Sequence, residues 1–241
     1  MRVINAIFTK QLNDFPRNFS ISIMFVLYPG LAWLMTTFMG EGGDAISLGF
    51  VMMFVGSVPL ISIANTIAED NEYKSLRFLV MAGVKPVHYL SGLGGFAMAM
   101  SVLPILAFAL IMELSGQYLL IFLAICLLGC FASVVVGAVA GIFSKNVQQA
   151  SVYYTILMFV IGFSPFFIQF NPNLAAPMQF LFTTQIFFIV LEMVIGYEAQ
   201  LFFNQLGITV NTAWSFIIIG ANIAVFLILF AIIYKKKGLK G

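Results

Sequence analysis

The sequence predicts an all-α polytopic membrane protein with six transmembrane helices, and three observations carry that prediction. Hydrophobic residues make up 62% of the 241 residues and charged residues only 8%, whereas a soluble domain carries about 25% charged residues. The apolar residues form continuous runs, not the apolar–polar alternation over roughly ten residues that a barrel strand shows. Finally, the basic residues segregate to one side of those runs. One transmembrane domain, residues 1–241, accounts for the whole chain.

The elements follow in order. Residues 1–18 place Ile4, Phe8, Leu12 and Phe15 on one helical face, with Arg2, Lys10, Asp14 and Arg17 elsewhere. That pattern fits an interfacial helix in the inner headgroup layer, or a plain topology anchor. The mixed composition of this segment argues against a signal peptide, and the run beginning at Phe19 is long enough to span. The six apolar windows are 19–39, 46–67, 89–112, 118–143, 150–170 and 212–234. Each supplies the ~20 residues that cross ~30 Å of hydrocarbon.

Between the second and third windows lies a charged stretch. Residues 69–82 read as a short cytoplasmic helix, with Asp70 or Asn71 at its N-cap, Glu69, Asp70 and Glu72 near its positive end, and Lys74 and Arg77 further along. Gly83 stops it and Pro86 lies beyond. Tyr73, Leu76 and Leu79 or Val80 recur at helical spacing as an apolar stripe. A helix of ~12 residues is only ~18 Å long, too short to span. It is either a handle that a soluble partner grips or a solvated loop helix.

The third window opens with Gly92–Gly95, a run that suits close helix contact. In the fourth, Gly129, Ser133, Gly137 and Gly141 repeat every four residues, a small-residue ridge for intrachain packing or a homodimer seam. Cys126 and Cys130 lie one turn apart there and suit packing better than zinc, which needs more ligands. Pro29, Pro59, Pro104 and Pro165 each fall inside a different window and kink it. Residues 171–211 are apolar enough to enter the membrane. A full crossing would put the C-terminal lysines outside, so the segment reads as an outer re-entrant hairpin. It begins after Pro172 and Pro177 and turns near Gly196, with Glu192 and Glu198 close to the outer surface. A seventh span with inverted topology is the alternative.

Orientation comes from the charges. Arg2, Lys10 and Arg17 precede the first window, Lys74, Arg77 and Lys85 follow the second, Lys145 follows the fourth, and Lys235, Lys236, Lys237 and Lys240 follow the sixth. The opposite loops carry only acids: Glu41, Asp44, Glu113, Glu192 and Glu198. The positive-inside rule therefore places both termini in the cytoplasm.

Several chemistries find no residues. A P-loop G-x-x-x-x-G-K-[ST] is absent from the sequence, so ATP phosphates would have to be held by another chain. There is no G-x-S-x-G and no mid-span acid pair, and the one histidine, His88, sits at a membrane edge. No metal site is expected. Ion-coupled carriers keep ionisable residues at mid-membrane, whereas the acids here lie at span ends or in loops.

This arrangement resembles the type-2 permease subunits of ABC transporters, small six-span bacterial exporters. The motif that carries the resemblance is "EDNEYKSLRFLVMAGVKPVHYL", Glu69–Leu90: an acid, a Leu-centred core, a short break, and a basic-Pro-x-x-Tyr restart. The resemblance implies a coupling helix at 69–82, with Glu69, Asp70, Glu72, Tyr73, Lys74, Leu76, Arg77 and Leu79 docking a separate ATPase subunit that holds ATP and Mg. It also implies a second permease copy or a sister chain, a bacterial cell membrane, and export of amphipathic or hydrophobic cargo such as a peptide, drug or lipid. A non-transporting scaffold or immunity-type protein is the alternative, followed by an ion-coupled carrier.

Overall fold

The computed structural model describes residues 2–39, 43–196, 199, 202–204, 207 and 211–239, and these are helical throughout apart from short connections. In chain order they form α1 (Arg2–Asp14), a 3-10 turn (Phe15–Arg17), α2 (Phe19–Met39), α3 (Gly43–Glu72), α4 (Ser75–Met81), α5 (Pro86–Ile111) and α6 (Gly116–Phe143). Then come α7 (Val147–Gly162), α8 (Ser164–Phe170), a second 3-10 turn (Pro172–Leu174), α9 (Ala175–Met178), α10 (Phe182–Ile195) and α11 (Thr212–Leu239). Among the described residues, five helices are long and apolar enough to cross a membrane: α2, α3, α5, α6 and α11. The protein is accordingly a multi-pass helical membrane protein.

At the centre stands α3, which packs against α2, α5, α6, α7 and α10. Leu48, Val51, Phe54, Val55, Val58 and Ala64 are all fully buried. The outer helices instead turn large apolar side chains outward: Phe19, Val26 and Phe38 on α2, Val152 and Ile156 on α7, and Ile217, Val225 and Ile228 on α11. In water such faces would drive aggregation; in a bilayer they meet lipid.

The small-residue ridge of α6 faces α3. A Cβ on Gly137 would run into the backbone carbonyl of Leu60, and one on Gly141 would stand 2.7 Å from the carbonyl oxygen of Ala64. Ser133 Oγ donates to the carbonyl of Val55 at 2.5 Å. Packing within one chain therefore uses the ridge from end to end. Cys126 and Cys130, on the same helix, are unbridged and buried.

The window expected over 150–170 is divided. α7 ends at Gly162 and α8 begins at Ser164, with Pro165 just inside α8. Proline has no N–H for the carbonyl four residues back, which here belongs to Ile161. Two hydroxyls take over: Ser164 Oγ donates to that carbonyl at 2.9 Å and Thr183 Oγ1 at 2.6 Å. Pro165 thus sets the break, and α10 supplies part of its repair.

α10 is buried continuously from Phe182 to Leu191. At 14 residues it is ~21 Å long, short of a full crossing. Asn222 Nδ2 donates to the carbonyl of Phe180, and Ser215 Oγ donates to Gln185 Oε1 at 2.6 Å. These pairs set α10 antiparallel to α11, ending toward the start of α11 at Gly196, whose φ is +55°. Glu192 is half-buried near that end; Glu198 lies outside the described residues.

Candidate functional site at the lysine end of the bundle

The charged stretch does not form the continuous helix expected over 69–82. α3 runs past the apolar window to Glu72, and Lys74 reverses the chain with φ +59°. Only the seven residues of α4 follow. Gly83, at φ +78°, ends them, with the Val84 N–H bonded to the carbonyl of Leu79 at 3.0 Å. Lys85 is then extended, as a residue before proline must be, and Pro86 opens α5. The composition read as one amphipathic helix because α3 continues out of the membrane on polar residues, and a polar run carries no mark of the turn.

Asp70 is not a surface contact. It is 5% exposed and gathers three elements onto one carboxylate. Lys10 Nζ of α1 lies 3.2 Å from Oδ1, Ser75 Oγ donates to Oδ1 at 2.8 Å, and the Tyr89 hydroxyl of α5 donates to Oδ2 at 2.6 Å. A buried carboxylate is tolerable only when so partnered. Asn71 follows, its Nδ2 donating to the carbonyls of Gly141 and Ser144 at 3.1 and 3.0 Å, which satisfies the open C-terminal end of α6. Glu72 Oε2 accepts from the Val147 N–H at 3.0 Å, at the start of α7, where a negative charge is favoured.

Three consecutive residues therefore tie the foot of α3 to α1, α4, α5, α6 and α7. α11 closes the assembly. Tyr234 donates to the carbonyl of Val84 at 3.1 Å, and its ring lies 5.9 Å from that of Tyr89. Beneath α4, Leu76 (3% exposed) packs into a cluster with Ile63, Ile67, Leu93, Ala138 and Phe230.

The other expected residues divide by face. Tyr73, Lys74, Arg77 and Phe78 are exposed, as is Glu69, while Leu79 is half-buried. The apolar stripe is thus Leu76 with Leu79, and Tyr73 stands outside it at 73% exposure. Tyr73, Phe78 and Met81 together with Lys74 and Arg77 make an outward tip that is both apolar and basic. Beside it a groove of ≈ 490 Å³ runs between α1 and α4, walled by Ile7, Phe78, Leu79 and Ala82, with Lys10 and Asp70 at its floor.

On α1 the packed face gains Ile7 and loses Leu12 relative to the expected one. Ile4 and Phe8 are half-buried, Ile7 is buried, and Leu12 is 50% exposed. Phe8 and Phe15 stand 5.8 and 5.7 Å from the ring of Phe96, edge-on. Gly92 lets this happen, because a Cβ there would sit 2.8 Å from that of Ile7. Arg17 ends the turn that leads into α2.

Sequence reasoning did not single out Ser75, Asn71 as a tie to α6, or Tyr234. The Tyr89 signal was present in the basic-Pro-x-x-Tyr restart, without its partner. No group of three or more His, Cys, Asp or Glu placed to hold a metal occurs among the described residues. Ser75 thus joins the start of α4 to the foot of α3, and Leu76 packs it onto the spans behind. No protein-family model matches the chain, and no curated protein matches it.

Proposed function

We propose that the chain is the membrane permease subunit of an ATP-driven ABC exporter of the type-2 class, with no catalytic step of its own. The observation that carries this reading is the mounting of α4. Its outer face is exposed and basic–apolar, while Ser75 joins its start to the foot of α3, where Asp70, Asn71 and Glu72 bind α1, α5, α6 and α7. A soluble subunit pressing on a loosely hung helix would only bend the linker. Pressing on this one displaces α3, the buried post of the bundle.

In this reading α4 with the last turn of α3 is the coupling element, and α1 is the interfacial helix. α7 and α8 together make the fifth of six passages, and residues 171–211 enter the outer leaflet without crossing. Both termini lie on the cytoplasmic side of a bacterial cell membrane, where the basic residues collect. ATP and Mg belong to the partner ATPase. A second permease, identical or sister, meets the exposed apolar faces of α2 and α7, and cargo passes along that seam. With aromatic and aliphatic walls and no charge placed mid-span, the cargo is amphipathic or hydrophobic: a peptide, drug or lipid.

Co-purification tests the reading. The full-length protein, tagged and extracted from the cells that make it, is expected to retain a soluble subunit bearing a P-loop. Lys74→Glu with Arg77→Glu should reduce that subunit at least several-fold while leaving the membrane protein monodisperse. Recovery of the protein without any ATPase, or retention unaffected by the charge reversal, rejects the assignment in favour of a non-transporting scaffold.

A further inference from the structure

Between α5, α6 and α11 a groove opens sideways toward the bilayer. Its volume is ≈ 630 Å³, within the roughly 300–1,000 Å³ of small-ligand sites. Leu90, Ser91 and Gly95 form one wall, Phe131 the floor, and Ile228 and Ala231 the other wall. Ser91 supplies the one side-chain hydroxyl of the lining, which contains no acid.

The recess comes from the glycine run that the sequence suggested for close helix contact. Gly92 does abut Ile7, and a Cβ on Gly94 would lie 3.0 Å from Val134 Cγ1. Gly95 differs: a Cβ there meets nothing within 4 Å. The helices stand apart at this point, and only hydrogen atoms of Gly95 line the gap. Water needs several polar partners to occupy such a space, and the walls offer one hydroxyl. An acyl chain has no polar group to leave unpaired there and makes dispersion contacts along both walls.

Basic residues stand next to the lining, which itself holds none, where the Tyr234 hydroxyl bonded to the carbonyl of Val84 brings the start of α5 against the last turns of α11. α5 starts at Pro86, a lining residue, directly after Lys85. On α11 the lining face of Ile228 and Ala231 continues one turn later at Lys235. Lys85 and Lys235 are both exposed, and His88 and Lys236 flank them. Basic residues between spans at the membrane surface recognise anionic headgroups.

We propose that this groove binds one anionic phospholipid of the lysine-side leaflet, with an acyl chain along Gly95 and Phe131 and the headgroup phosphate between Lys85 and Lys235. The site requires no ATPase and no transport, so it stands or falls apart from the permease reading.

Native mass spectrometry of the full-length protein, with palmitoyl-oleoyl phosphatidylglycerol or the phosphatidylcholine of identical chains added, tests it. Phosphatidylglycerol should be retained in preference, with Lys85→Gln and Lys235→Gln each weakening its retention about five-fold. Gly95→Phe should abolish retention of both lipids, whereas Gly220→Phe, on an equally open glycine of α11 outside the groove, should leave it intact. Equal retention of the two lipids overturns the proposal, as does a Gly95→Phe protein that still holds phosphatidylglycerol. So does a second copy of the chain, in place of lipid, that Gly95→Phe releases. Should Gly95→Phe fail to give a monodisperse protein, the two lysine variants decide on their own.

Discussion

At the residue scale, Asp70 distinguishes a charge that holds structure from a charge that merely dissolves. Its partners are unequal. Lys10 is 54% exposed at the side chain, so its ion pair is largely solvated and is worth about 0–1 kcal/mol. Tyr89 is fully buried and bonds the same carboxylate at 2.6 Å; a hydrogen bond to a charged group contributes about 1.5–3 kcal/mol. Tyr89→Phe is therefore expected to lower stability more than Lys10→Gln, by roughly the difference of those ranges. Thermal unfolding of the two variants in the same detergent measures it; equal losses would refute the ranking, and a larger loss for Lys10→Gln would mean that the salt bridge, not the phenol, holds the joint. The charge pattern of Glu69–Arg77 disclosed that acids stand at the head of this stretch and bases after them. Which acid turns inward was not legible, because Asp70 is buried by the return of α5 nineteen residues later. No local window contains that contact.

At the element scale, the spacing of apolar residues located the spans closely: α2 occupies the expected residues 19–39, and α5, α6 and α11 start within three residues of their windows. Hydropathy measures what the bilayer tolerates, and these helices are set by the bilayer. Ends set by other forces were less visible. α3 extends to Glu72 because side chains of its final turn bond α4, the end of α6 and the start of α7, and the break at Gly162–Ser164 depends on the hydroxyls of Ser164 and, from α10, Thr183 accommodating the carbonyl that Pro165 frees. The four-residue ridge on α6 was visible as a pattern, though not which surface it met. Its contact with α3 yields a contrast between glycines. Gly137→Ala drives a methyl into the backbone of Leu60, and overpacking of this kind costs about 1–3 kcal/mol. Gly220→Ala enters open space and gains up to ~1 kcal/mol from helix propensity. Opposite shifts in melting temperature are expected. A Gly137→Ala protein as stable as the parent would mean that α3 and α6 slide apart without penalty.

At the scale of the whole molecule, the joint around Asp70 and the basic residues among those described share one end of the bundle, while Glu113 and the α8–α9 turn lie at the other. If the lysine end faces the cytoplasm, as short-loop Lys/Arg bias dictates, a membrane-impermeant thiol reagent added to intact cells should label Glu113→Cys and Asn173→Cys. Lys74→Cys and Lys235→Cys should react only after the membrane is opened. All four parent residues are exposed, so failure to react reports the membrane barrier and not burial in the fold. The native Cys126 and Cys130 are buried on α6 and should stay silent in both conditions, leaving the introduced thiols as the readout. Labelling of Lys74→Cys from outside would invert the molecule, remove α4 from any cytoplasmic ATPase, and move the groove between α5 and α11 to the outer leaflet. Labelling of Glu113→Cys and Asn173→Cys alone would place the α3–α4 joint where a soluble motor can reach it. The remaining question would then be which subunit does.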